Sequence, residues 1–145
     1  MPGNVNQAGS NAGSAVQVTL IAAFQAPANQ QIEINDWKCS SEDPAAGVDV
    51  GSSVFIIQQA DDSAFSVNVV EKDRTVVPVS DTYMTTYGAE SGNGRLIIPP
   101  GKYCRVIGYQ IGTTGRFTTG LVGQTRWLDS SHGGRQVDAL GDDIL

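Results

Sequence analysis

Residues 95–112 read RLIIPPGKYCRVIGYQIG, and the way this stretch breaks and resumes decides the fold. Pro99 and Pro100 have no backbone N–H to donate, so a sheet ladder through Leu96–Ile98 must stop there. Gly101 accepts a backbone angle that side chains forbid. The chain then alternates, with Tyr103, Arg105, Ile107, Tyr109 and Ile111 on one face and Cys104, Val106 and Gly108 on the other. One large face and one small face predict a strand held between a core and a close neighbour. A strand, a corner and a second strand in so short a span belong to a compact β protein.

The flanking sequence repeats that signal. AVQVTLIAAF (15–24) predicts a strand with Val16, Val18, Leu20, Ala22 and Phe24 on one face. QIEINDW (31–37) predicts a second, with Ile32 and Ile34 inward and Trp37 on the opposite face if the strand stays regular. VFIIQQ (54–59) is a nearly continuous apolar run, as expected of a central strand buried on both faces. FSVNVVEK (65–72) alternates through Phe65, Val67 and Val69, and Pro78 predicts an edge strand. Asn93-Gly94 predicts a hairpin joining Tyr83–Tyr87 to Arg95–Ile98, and the last strand ends at Trp127. About eight or nine short strands with turn signals every 8–12 residues predict one all-β domain, a β-sandwich of jelly-roll type with about eight strands.

The 145-residue length is that of one domain with a real core, and 40% hydrophobic residues with 17 glycines fit sheets and turns. Residues 15–128 are expected to form the sandwich. Residues 1–14, MPGNVNQAGSNAGS, predict a flexible N-terminal arm, either a loose terminus or a segment ordered on a partner. On that expectation its deletion leaves the melting temperature almost unchanged. Residues 129–145 predict a polar, acidic tail.

A net charge of −6 with only 17% charged residues argues against nucleic acid and anionic membranes as partners. No apolar run of about 20 residues is present to span a bilayer. The N-terminus has no signal-peptide pattern, which predicts synthesis in the cytosol. In that compartment Cys39 and Cys104 are expected as reduced structural thiols. A disulfide between them requires Cα atoms within about 7 Å.

No set of residues predicts catalysis or a cofactor. His132, the single histidine, lies beside Asp129, Ser130 and Ser131, but a tetrapeptide cannot assemble a triad in space. Glu42-Asp43, Asp61-Asp62 and Asp142-Asp143 lack the spaced oxygen ligands of a calcium loop and read as solvated turns. GTTGRFTTG has neither the lysine nor the following helix of a phosphate loop. One histidine and two distant cysteines make no metal site. The aromatics Trp37, Tyr83, Tyr87 and Trp127 are candidate partner anchors, with core packing as the competing role of each. Asn4, Val5, Asn6, Gln7 and Asn11 are the corresponding candidates on the arm.

Arm and body together, residues 1–128, with IIPPGKY (97–103) at the corner, resemble the capsid cement or decoration proteins of tailed bacteriophages, in particular the jelly-roll cement type of a short-tailed Bordetella phage. The resemblance lies in organisation, and no residue-level signature accompanies it. It implies a virion protein made in the host cytoplasm, bound to the outer surface of the head as a dimer or trimer. Its partner would then be the major capsid protein, whose neighbouring subunits it clamps. The alternative is a carbohydrate-binding module or a head-fibre, receptor-binding domain that uses Trp37, Trp127 or the tyrosines on a sheet face.

Overall fold

The computed structural model describes residues 3–43, 50–88 and 94–127. They form nine strands: β1 (Asn4–Asn11), β2 (Val18–Gln25), β3 (Gln30–Ser41), β4 (Ser52–Ala60), β5 (Val70–Pro78), β6 (Asp81–Thr86), β7 (Leu96–Ile98), β8 (Tyr103–Ile111) and β9 (Phe117–Trp127). One sheet, sheet A, runs β1-β9-β3-β6 with β7 also on β3; the other, sheet B, runs β2-β8-β4-β5. All pairings are antiparallel.

β6 and β7 lie end to end along the same side of β3, on Asp36–Ser41 and on Ile32–Ile34. Counted as one interrupted strand, they complete a simple order. The first strand pairs with the last, the second with the next to last, the third with β6/β7, and β4 with β5. A long hairpin wrapped in this way is a jelly roll, as the sequence predicts. The turn of the expected hairpin at Asn93-Gly94 falls on residues 89–93, outside the described residues; Gly88 and Gly94, on either side of them, form an antiparallel bridge.

The proline corner carries the chain from sheet A to sheet B. Gly101 adopts φ 80, and its N–H reaches the carbonyls of Ala26 and Pro27 at 3.1 Å. Beyond it β8 turns its small residues inward, with Cys104 and Val106 fully buried. β4 is the doubly buried strand expected, since Phe55 and Ile57 enter the main core while Val54 and Ile56 pack with Ile107 on the other face.

Four expectations need correction. The arm is the outermost strand of the fold: Asn4–Asn11 pair residue for residue with Gln124–Phe117, and Val5 enters the core. A polar strand forms here because β9 supplies a complete ladder of backbone partners. Trp37 is fully buried, because β3 carries a bulge at Asn35 between Ile34 and Asp36. The extra residue reverses the alternation, so Trp37, Cys39 and Ser41 share the inner face with Ile32 and Ile34. Bulges in β2 likewise leave Ala22 exposed and bring Ile21 inward with Leu20, while Val16 lies ahead of the strand and is exposed. Residues 65–69 form a turn, because Asp62 accepts the N–H groups of Ser66 and Val67 while Phe65 and Asn68 take φ 55 and 51.

The bulge is matched across the ladder by Gly123, where an added Cβ would lie 2.2 Å from the Glu33 carbonyl oxygen. At Gly120, three residues away on the outer face, the nearest atom would be 3.7 Å away. Gly123→Ala should therefore destabilise by about 2 kcal/mol or more and Gly120→Ala by under about 0.5 kcal/mol, as read from urea unfolding. Deleting residues 3–11 strips β9 of one of its two partners, making it an edge, and should lower the melting temperature by on the order of 10 °C, in place of the small change expected for an arm.

Candidate functional site

The candidate residues separate into three groups. Val5 and Trp37 belong to the core, where the Trp37 indole N–H donates to Thr119 Oγ1 at 2.9 Å. Asn4 and Asn6 are exposed on edge strand β1, while Gln7 and Asn11 are half-buried. Trp127 ends β9 opposite Gln30, partly exposed. Only Tyr83 and Tyr87 come together, at the seam where β5 and β6, the edge strands of the two sheets, part company. His132 with Asp129, Ser130 and Ser131, the pair Asp142-Asp143 and the tail 129–145 lie outside the described residues.

The seam holds a concavity of about 380 Å³ lined by Lys72, Asp73, Tyr83, Thr85, Tyr87, Arg95 and Leu96. A bulge in β5 creates its far wall: Ile57 pairs with Asp73 and Gln58 with Glu71, leaving Lys72 without a ladder partner. The Tyr87 hydroxyl donates a short hydrogen bond to Asp73, and burial together with that carboxylate pushes the phenol well above its ordinary pKa. Tyr83 packs against Trp37, ring centroids 6.3 Å apart and planes at 80°.

Around Arg95 the concavity continues into a second hollow of about 250 Å³ that includes Glu33, Asn35, Gln124 and Arg126. Glu33 is buried on the outer face of sheet A beneath two arginines. Its Oε2 accepts from Gln31 at 2.8 Å, Arg95 at 2.5 Å and Arg126 at 2.8 Å. Burial opposes ionisation, but the Gln31 hydrogen bond and the charges of Arg126 and Arg95 outweigh it and hold the carboxyl below its ordinary range.

A second surface was not singled out in the sequence. On the outer face of sheet B, Val54 lies between Tyr109 and Val76, and Ser52 between Ile111 and Pro78. Val76 and Ile111 are 54% and 58% exposed, continuing outward from the buried trio Val54, Ile56 and Ile107, and Val50, just before β4, is exposed as well. The readable signal was the unbroken run of Val54–Ile57, since a strand apolar on both faces needs cover on both.

Cys39 and Cys104 are free and buried, and desolvation pushes both thiols up to about 12. Asp61 and Asp62 serve the turn after β4; Asp61 accepts from Lys102 Nζ and Asn68 Nδ2, both at 2.6 Å. Among the described residues no three His, Cys, Asp or Glu side chains gather as a metal site would require, and no helix is long and apolar enough to cross a membrane.

Because folded Glu33 titrates below an unfolded glutamate, at about 4.3, its ionised form adds stability above that pH. The contribution fades as pH falls from there through the folded-state value. Urea titrations between about pH 6 and 3 should show a steeper stability loss for the native protein than for Glu33→Gln.

No protein-family model and no curated protein matches the chain. Solved structures match in outline, each at 10% identity. A chain of the disulfide-linked pili of Bacillus endospore appendages aligns over 87% of both chains with a TM-score of 0.47. A chain of the T13 infectious bursal disease virus particle covers 88% of this chain, which spans only 31% of the viral one, at 0.44. PirA covers 84% of this chain and is itself covered over 92%, at 0.39. These neighbours include pilus and virus-particle proteins, and at such scores their roles do not transfer.

Proposed function

We propose that this chain is a structural assembly protein, in its finer form a capsid cement or decoration protein that clamps neighbouring subunits from outside a phage head. The observation that carries this reading is the apolar patch of Val76, Pro78, Tyr109 and Ile111 on the outer face of sheet B. A contiguous apolar surface with a polar surround marks a protein contact far more often than a free surface. Here it lies where β4 begins and β5 and β8 end, beside a small buried cluster of its own.

Cementing asks little of each contact. A copy that bridges several shell subunits makes its later contacts intramolecularly, so modest patches add up to high avidity. The outward side chains of edge strand β1, Asn4 and Asn6 among them, add polar contacts beside the body. Buried thiols with raised pKa values do not serve as nucleophiles, in keeping with a structural role.

The purified protein should co-sediment with undecorated heads. Replacing Val76 and Ile111 together by Asp should reduce occupancy by about tenfold or more while the melting temperature moves by only a few degrees. Unchanged occupancy for that variant, or no attachment of the native protein to heads, would sink the proposal.

A further inference from the structure

We infer that the groove between β5 and β6 is a binding site for an acidic sugar, a carboxylate-bearing residue of a uronate- or sialate-containing glycan. The inference is independent of the docking face on sheet B, because the groove lies at the β5–β6 edge of the sandwich and shares no residue with the patch.

Charge accounting points to an anion. The charged side chains of the groove and its adjoining hollow are Lys72, Arg95 and Arg126 against Asp73 and Glu33, one cation in excess among the described residues, and Glu33 is held between two of the cations. Two cations are less committed. Among the described residues Lys72 has no side-chain hydrogen bond or ion pair, and Arg95 spends one guanidinium nitrogen on Glu33. A chain of net charge −6 therefore keeps a locally cationic groove. Over the roughly 8 Å reach of charges at physiological salt, local groups outweigh the distant total.

The remaining lining matches hydroxyl groups. The amides of Asn35 and Gln124 line the adjoining hollow, and Tyr83 presents its phenol in the groove itself. None of these three has a side-chain hydrogen-bond partner among the described residues. An amide or a phenol both donates and accepts, as each ring hydroxyl does. Tyr83 is 37% exposed and braced edgewise by the buried Trp37, so its ring is a fixed platform for the C–H face of a sugar. The volume of about 380 Å³ falls at the small end of ligand sites, yet the lining is polar where most such sites are apolar. An acidic peptide fits less well, because among the described residues Leu96 is the only aliphatic side chain on the groove wall.

The test is a titration of ¹⁵N-labelled protein with trigalacturonate and sialyllactose, with neutral maltotriose and lactose, and with hexaglutamate. The acidic saccharides should shift the amides of Lys72, Tyr83, Tyr87 and Arg95 with millimolar affinity, about tenfold tighter than the neutral ones. Lys72→Gln should weaken them several-fold, and Tyr83→Leu, which keeps an apolar contact on Trp37, should weaken acidic and neutral sugars alike. Both variants should occupy phage heads as the native protein does, so failure here is separate from failure of the docking face. No shift with any saccharide at about 10 mM, equal response to acidic and neutral sugars, or a response to hexaglutamate alone overturns the inference.

Discussion

The one-residue bulge at Asn35 is the constraint on which sheet A depends. Without it β3 would turn Ile32 and Ile34 to the core and Trp37 and Cys39 to solvent; with it all four line one interior. The added residue has to be absorbed by the facing strand, and Gly123 absorbs it by offering no side chain where the Glu33 carbonyl comes close. The same bulge frees the Asn35 carbonyl to accept the Tyr87 N–H at 2.7 Å, beside the point where β6 ends and the chain leaves the sheet. One irregularity thus sets the core, the break between β6 and β7, and the wall on which the groove is built.

Sheet B solves a different problem. Its central strand is apolar on both sides, and the inner side faces a filled core in which Phe55 meets Phe117 at 5.8 Å. Among the described residues the outer side has no second sheet above it. Part of it is covered locally, since the turn after β4 brings Phe65 under the Arg105 guanidinium at 4.2 Å. At the opposite end of the strand no such cover is present among the described residues, and Val50, Val76 and Ile111 stand open. A sheet face that is half roofed by its own chain is a natural seat for another molecule.

Much of this architecture was legible in the sequence, and the failures have physical reasons. The proline corner, the double burial of Val54–Ile57 and the inward small face of Cys104–Gly108 follow from local rules of backbone geometry and alternation. Asn4–Asn11 was not legible as a strand, because its stability comes from the ladder on β9 and only Val5 brings an apolar anchor. Trp37 was assigned to the wrong face because a bulge leaves no mark in alternation until its neighbours are known. Val67 and Val69 alternate like a strand, but the Asp62 carboxylate claims the backbone first. The groove could not be foreseen at all: Lys72, Tyr83 and Arg95 sit on three separate strands or their flanks and meet only through the wrapping of the hairpin.

The bridge between Gly88 and Gly94 has a consequence for how the chain can vary. It holds Gly88 and Gly94 opposite each other, beside the ladders that fix β6 and β7 on β3. With the ends fixed, each doubling of the intervening length adds only about 0.6 kcal/mol of closure entropy. Changes of length between Gly88 and Gly94 are therefore cheap for the sandwich, because the strands on either side are held on β3 by ladders of their own.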